Sequence, residues 1–507
     1  MREHAAGSGR GRQSGPVLAL GELVDERELV IIGGGPAGMA AAIEARRAGV
    51  LTTLIEERAT LGGQIFKQPP PGFAITRPSA MGRDHQAGRR LIEGVQAGGT
   101  EVLTDHVVWS VSGGETREVG VYEPGARART LRTTRLILAT GAYDRPVPFP
   151  GWTLPGVVTA GGAQAMVKVQ KVYPGRRILM AGSGPLVLAF AVQLHQMGAN
   201  VVAVLEAAPA PDPRGVAGLL GAAGAGNWGQ LREGIGYLAY LRFHGIPLLY
   251  GHAIARAEGT DGVERAVAVR VDRTWRQLPG TERAFDVDTI CVGYGFSPSL
   301  EIPRVLGLAL GYDEQLGGHV PSHDRDMASS APGVFVAGAV AGTAGGAVAI
   351  EEGRIAGIAV ARSLGKLTAV QADQRMAAPR RRLVGLHRFR RALDASYAVG
   401  VGIHTWATED TVVCRCEEVT KGEIRRNILP GSRDPNSVKA LTRVGMGLCQ
   451  GRNCGEQLAA IFCEESGCRL EDLSPLSPRL PVKPVPIGLI ADPLRPVPTR
   501  IQKPSEE

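Results

Sequence analysis

Cysteine is almost absent from the first 413 residues of this 507-residue chain. Cys291 stands alone there, and the other six of the seven follow it. A region so poor in sulfur is not a disulfide-built scaffold. Aromatic residues are scarce too, at 5%. No run approaches the roughly eighteen consecutive apolar residues of a spanning helix. The opening MREHAAGSGRGRQSGPVLAL has too short an apolar run for a secretory leader. Residues 1–27 read as a mobile polar arm. The expected location is cytoplasmic, with cysteines as reduced thiols or metal ligands.

Several catalytic signatures are missing as well. There is no H-E-x-x-H, no nucleophile elbow and no paired-carboxylate motif. The ten histidines are scattered, and His244, His252, His319 and His323 read as structural or exposed. No catalytic residue is therefore assigned to this chain. Much of the net charge of +8 comes from RRRLVGLHRFRR at 380–391. No nucleic-acid-binding motif accompanies it, so it reads as a basic linker or a surface facing an acidic partner.

Glycine, by contrast, is abundant, with 69 residues, and the length implies two to four domains. ELVIIGGGPAGMAAAIEARRAGVLTTLIEE at 28–57 reads as strand, glycine turn, helix, strand and acid. Gly33, Gly35 and Gly38 match G-x-G-x-x-G. They serve the tight turn, the close approach of backbone to a pyrophosphate and helix–strand packing. The helix N-terminus offers N–H groups to phosphates, and the Glu56 carboxylate suits ribose hydroxyls. RRILMAGSGPLVLAFAVQLHQMGANVVAVLE at 176–206 is a weaker second copy. It keeps Gly182, Gly184 and Glu206 but has Val187 where a small residue belongs, which predicts a helix standing further from its strand. Either this unit binds an unphosphorylated dinucleotide or it survives as scaffold.

These units predict an α/β protein with two Rossmann-type dinucleotide-binding domains, one inserted in the other. Residues 28–150 and 287–365 form the first domain and 151–286 the insertion. Residues 366–408 read as a basic helical connector, 409–472 as a small, mostly helical cysteine domain, and 473–507 as a proline-rich extended arm.

The cysteine domain holds Cys414-x-Cys416 and, further on, Cys449-x4-Cys454. A C-x-C pair is tight for tetrahedral zinc. The glycines of GMGLCQGRNCG and a helix after each pair favour a [2Fe–2S] cluster, whose sulfurs accept backbone N–H bonds. Zinc and free thiols stay open. Cys463 and Cys468 read as core or surface thiols, and Cys291 as a packed apolar residue.

C-x-C…C-x4-C with TRVGMGLCQGRNC resembles the bacterioferritin-associated-ferredoxin-like [2Fe–2S] domain. The first 365 residues resemble flavoproteins of the pyridine nucleotide–disulfide oxidoreductase class. LGGQIFKQPPPGF, LATGAYDRPVPFPGWTLPGV, AGSGPL and the proline-rich arm resemble the α subunits of opine oxidases. They also resemble related subunits of hydrogen cyanide synthase, dye-linked proline or hydroxyproline dehydrogenases and heteromeric sarcosine oxidase.

The resemblance implies FAD on Gly33, Gly35, Pro36, Ala37 and Gly38, with Glu56 on its ribose. Gly62, Gly63 and Gln64 would border it, Thr140 and Gly141 would pack on it, and Gly338 and Ala339 would form the turn near the ribityl chain. It further implies a cluster on Cys414, Cys416, Cys449 and Cys454. It implies a partner flavoprotein β subunit with the substrate site, and leaves room for a small ferredoxin-like γ subunit and an FMN at a subunit interface. Ala339 departs from the family's usual Asp, which keeps NAD or ATP open as alternative occupants. No redox cysteine pair accompanies the flavin motif, which excludes the usual thiol–disulfide chemistry.

The resemblance thus implies an electron-transfer subunit of a heteromeric amino-acid, opine or imino-acid dehydrogenase. Two alternatives are a stand-alone NAD(P)H-dependent reductase, which Val187 argues against, and a scaffold with structural nucleotide and cluster.

Overall fold

The computed structural model describes residues 24–69, 72, 82–124, 128–224 and 227–491. A parallel five-stranded sheet forms the first domain. Its order is Val334–Val336, Leu136–Leu138, Leu29–Ile32, Thr52–Ile55 and Glu101–Leu103. These strands are short, β-branched and largely buried on both faces, as a sheet covered by helices requires. The helix Pro36–Arg47 lies on it, with proline preset at its first turn. The helix Gly346–Ser363 packs across that helix at very close range. A Cβ on Gly353 would stand 2.1 Å from the Ala37 carbonyl oxygen, and one on Gly357 2.4 Å from that of Ala41. A second, four-stranded sheet of this domain begins with Val24–Arg27, paired parallel to Arg129–Thr133. The last residues of the expected N-terminal arm are therefore strand. Most of that arm lies outside the described residues.

The inserted domain has its own parallel sheet, ordered Val157–Thr159, Thr289–Gly293, Arg177–Gly182, Asn200–Glu206 and Leu248–Tyr250. Thr289–Gly293, expected in the first domain with the return at 287, belongs to the insertion instead. The chain crosses back only afterwards, where Phe296–Pro298 pairs antiparallel with Ala142–Asp144. The two-stranded ribbon so formed joins the domains.

The connector is a single helix, Ala369–Ser396, started by a Thr368/Gln371 capping box. Much of its arginine run is used within the molecule. Arg380 pairs with Asp326, Arg382 with Glu351, and Arg390 with Asp394. The cysteine domain is a Val412–Cys414/Val419–Thr420 hairpin plus the helices Lys421–Arg426, Asn436–Thr442 and Gly455–Ser466. The proline-rich segment is extended but not a free arm. Val482 is buried and its N–H donates to the Trp109 carbonyl at 2.9 Å, while Leu489 packs beside Tyr122. Residues 492–507 of that segment lie outside the described residues.

Candidate cofactor sites

The first glycine loop is shaped by what a side chain would displace. Gly33 has φ +109°, and a Cβ there would meet the Ala139 carbonyl oxygen at 2.3 Å. A Cβ on Gly38 would lie 1.9 Å from the Gly33 oxygen. At Gly35 the nearest atom to a Cβ is the Gly63 Cα, 3.9 Å away, so this backbone faces open space. Gly62 and Gly63 fold over it, with the Gly62 N–H donating to the Gly34 carbonyl at 2.9 Å. Gly338 meets Ala37 from the other side, and its N–H donates to Glu352 at 2.8 Å. Ala339 sits half-buried beside it. Thr140 and Gly141 follow Ala139, and the Ser299 N–H donates to the Gly141 carbonyl at 3.0 Å. Gln64 is exposed at the rim.

Glu56 is buried and already engaged. Its carboxylate accepts from the N–H of Gly34 at 2.9 Å and of Arg58 at 3.0 Å. Burial outweighs these donors and raises its pKa. The cradle fits a dinucleotide: open glycine backbone at a helix N-terminus for the pyrophosphate, and an acid at the neighbouring strand end.

The second loop repeats the pattern. Glu206 accepts from Gly184 and Ala208, each at 2.8 Å, and is 1% exposed. Burial pushes its carboxyl up to about 7. Val187 does not hold the helix off by itself. Its methyl sits where Gly182 and Gly293 lack side chains, at 2.7 and 3.2 Å from their Cβ positions. The end of the connector helix lies over this loop. The Tyr397 ring stands 4.0 Å from the Cβ position of Gly184, and burial together with the nearby Glu206 raises the pKa of its phenol.

Lys67 belongs to no motif, yet it sits between the two domains. It is buried, and its ammonium donates to the Gly161 carbonyl at 3.3 Å and to Gln164 at 3.1 Å. Burial, with Arg58 and Lys168 nearby, lowers its pKa to about 7. A lone lysine in IFKQPPPGF carries no periodic signal that would mark it in the sequence.

The four spaced cysteines come together. Cys454 neighbours Cys414, and Cys449 neighbours Cys416. A Cβ on Gly447 would lie 2.2 Å from the Cys416 Cβ, so only glycine lets the two loops touch. The Cys454 contact, with N–H groups of Gly445, Glu417 and Cys416 against burial, lowers the Cys414 pKa to about 6. Among the described residues no three His, Cys, Asp or Glu side chains are arranged around a single ion. Two thiol pairs with backbone donors suit two irons better than one zinc.

The cysteine loop docks on the ribbon that continues Thr140–Gly141. Arg452 pairs with Glu301 at 2.6 Å and donates to the Tyr143 hydroxyl at 3.0 Å and the Val482 carbonyl at 2.6 Å. Glu456 pairs with Arg145 at 2.8 Å and accepts from Ser297 at 2.6 Å. The Trp152 indole N–H donates to the Val412 carbonyl at 2.6 Å.

Such a chain is an oxidoreductase of the two-dinucleotide-domain flavoprotein class carrying a ferredoxin-like appendage. Residues 27–220 match the pyridine nucleotide-disulphide oxidoreductase family, and 412–464 the BFD-like [2Fe-2S] binding domain. FAD and a [2Fe–2S] cluster are the cofactors of this combination. The chain belongs to the family that includes the HcnB subunit of hydrogen cyanide synthase and the corresponding subunit of opine oxidase. It is 35% identical to the former from Pseudomonas aeruginosa, covering 90% of this chain and 97% of the relative. It is 33% identical to the latter from Agrobacterium tumefaciens, covering 93% and 92%. The crystal structure of L-proline dehydrogenase from P. horikoshii shares the fold, with a TM-score of 0.64 over 92% of this chain and 80% of that one, at 21% identity.

Proposed function

We propose that this chain is the electron-relay subunit of a heteromeric dehydrogenase acting on a C–N bond. Its relatives are named as subunits of hydrogen cyanide synthase and opine oxidase, which supports a partner flavoprotein that holds the substrate. Gly33, Gly35, Pro36, Ala37 and Gly38 hold the FAD pyrophosphate. Glu56 takes the ribose, and Gly62, Gly63, Gln64, Thr140, Gly141, Gly338 and Ala339 line the rest. Cys414, Cys416, Cys449 and Cys454 ligate the cluster. FAD supplies two-electron chemistry and the cluster one-electron exchange. The chain's own work would be to hold the cluster loop against the strand that leaves the flavin motif, through Arg452, Tyr143 and Glu301. The relay ends at an acceptor outside the chain.

The observation carrying this reading is the Arg452–Tyr143–Glu301 contact, which fastens the cysteine loop to the strand leaving Thr140–Gly141. The stand-alone reductase reading is disfavoured, because the Tyr397 ring lies against the second glycine loop, whereas the first loop faces open space at Gly35. Anaerobic titration separates them. NADH added to the purified chain leaves flavin and cluster absorbance unchanged, while substrate added to the complex with its partner gives the electron paramagnetic resonance signal of a reduced [2Fe–2S] centre. Rapid bleaching by NADH alone would sink the relay reading.

A further inference from the structure

Cys463 and Cys468 belong to neither cofactor site, and their spacing in the chain suggests no role beyond filling space. The fold gives them a relation. The helix Gly455–Ser466 ends on Gly467, which has φ +72° and donates its N–H to the Cys463 carbonyl at 2.9 Å. This left-handed glycine stop turns the chain back so that the residue after the glycine meets one in the helix's last turn. That contact is ordinarily between two apolar side chains. Here both positions are thiols, and their sulfurs stand 2.6 Å apart. Both residues are partly exposed, so a small oxidant reaches them.

We propose that Cys463 and Cys468 form a peroxide-oxidisable dithiol that closes to a disulfide across the helix stop. One sulfur attacks the peroxide, breaking its O–O bond. The sulfur becomes a sulfenic acid and one water leaves. The second sulfur displaces the hydroxyl, an S–S bond forms, and a second water leaves. The two thiols lose two protons and two electrons, and the peroxide takes both. A thiol donor reverses the step by exchange. The same helix begins at Cys454, so the disulfide would secure the far end of an element that also carries a cluster ligand. The inference is independent of the relay reading, since it needs neither a partner nor turnover.

The test uses the purified full chain with its cluster absorbance intact. It is exposed to a modest excess of hydrogen peroxide, then denatured, alkylated without reduction and digested on the carboxyl side of glutamate. Cleavage at Glu464 and Glu465 separates the two cysteines, so a disulfide shows as two covalently joined peptides. The pair is about 2 Da lighter than the sum of its free forms and falls apart on reduction. The expected result is that joined pair, with the loss of two titratable thiols per chain and no loss of cluster absorbance. Cys463→Ala and Cys468→Ala, each tested alone, abolish the linkage and keep the cluster. The proposal fails if peroxide leaves both thiols separately alkylated. It fails equally if it drives them to sulfinic acids without a linked form, or links them only after the cluster has bleached.

Discussion

Replacing Arg452 with methionine tests how the cysteine loop is held. The substitution keeps much of the volume and removes the charge. It leaves Glu301 without its partner at 2.6 Å, and the Val482 carbonyl without a donor at 2.6 Å. Removing one member of a buried ion pair costs about 3–5 kcal/mol. Here the side chains are 11% and 15% exposed, and Ser299 still donates to Glu301 at 2.8 Å, so the lower end applies. About 3 kcal/mol corresponds to a local opening on the order of a hundredfold more frequent.

Native-state hydrogen exchange reads this directly. The amides of Gln450, Arg452 and Gly455, which donate to Gly447, Cys449 and Gly451, should exchange about a hundredfold faster. Those of the strand Leu29–Ile32 should not change. Adding Glu301→Gln removes the orphaned charge and should return part of the protection. Unchanged protection in Arg452→Met would refute the reasoning. So would a double variant as exposed as the single one, or a loss spread evenly over the chain.

Three further outcomes follow from the cofactor sites. Gly38→Ala places a methyl inside the Gly33 carbonyl contact, at a cost of about 1–3 kcal/mol. It should yield chain with little flavin but normal iron content, measured by absorbance and metal analysis. Cys416→Ser should do the reverse, losing cluster absorbance and keeping flavin. Glu352, raised by burial to about 8 from an unfolded value of 4.5, binds a proton in the folded state that the unfolded state releases. Stability should therefore fall as pH rises between those values, by up to about 1.4 kcal/mol per pH unit. Glu352→Gln, which can still accept from Gly338, should flatten that slope in thermal melts across pH 5 to 8.

The features legible in the sequence are those whose chemistry dictates spacing. Gly33, Gly35 and Gly38 must recur as they do for backbone to turn and a helix to pack, and four cysteines flanked by glycines favour a cluster over zinc or free thiols. Both groups do come together in the fold. The domain boundary was less legible. TICVG reads as a buried parallel strand wherever it lies, and only its pairing with Arg177–Gly182 assigns it to the insertion. Side chains whose meaning is a distant partner left no local trace. Lys67 meets Gly161, Arg452 meets Glu301 and Lys483 meets Glu57, each across long stretches of chain. The proline-rich segment shows the same limit. Composition gives its extended backbone, but not that Val482 would be buried with its N–H on the Trp109 carbonyl.

The order of strands in the first sheet sets a timetable for synthesis. Leu136–Leu138 has Leu29–Ile32 on one side as soon as it emerges, but its other neighbour, Val334–Val336, comes off the ribosome far later. At about 5–20 residues per second, the wait is on the order of ten to forty seconds. Throughout it, the nascent sheet shows a bare parallel edge. The first helix likewise shows the face that Gly353 and Gly357 will later cover. The inserted domain, contiguous from Val157 to Gly293, can close on its own in that interval. A young chain thus spends its longest vulnerable period with the flavin half unfinished. High-yield expression of this protein should accordingly depend on chaperones that shield that edge.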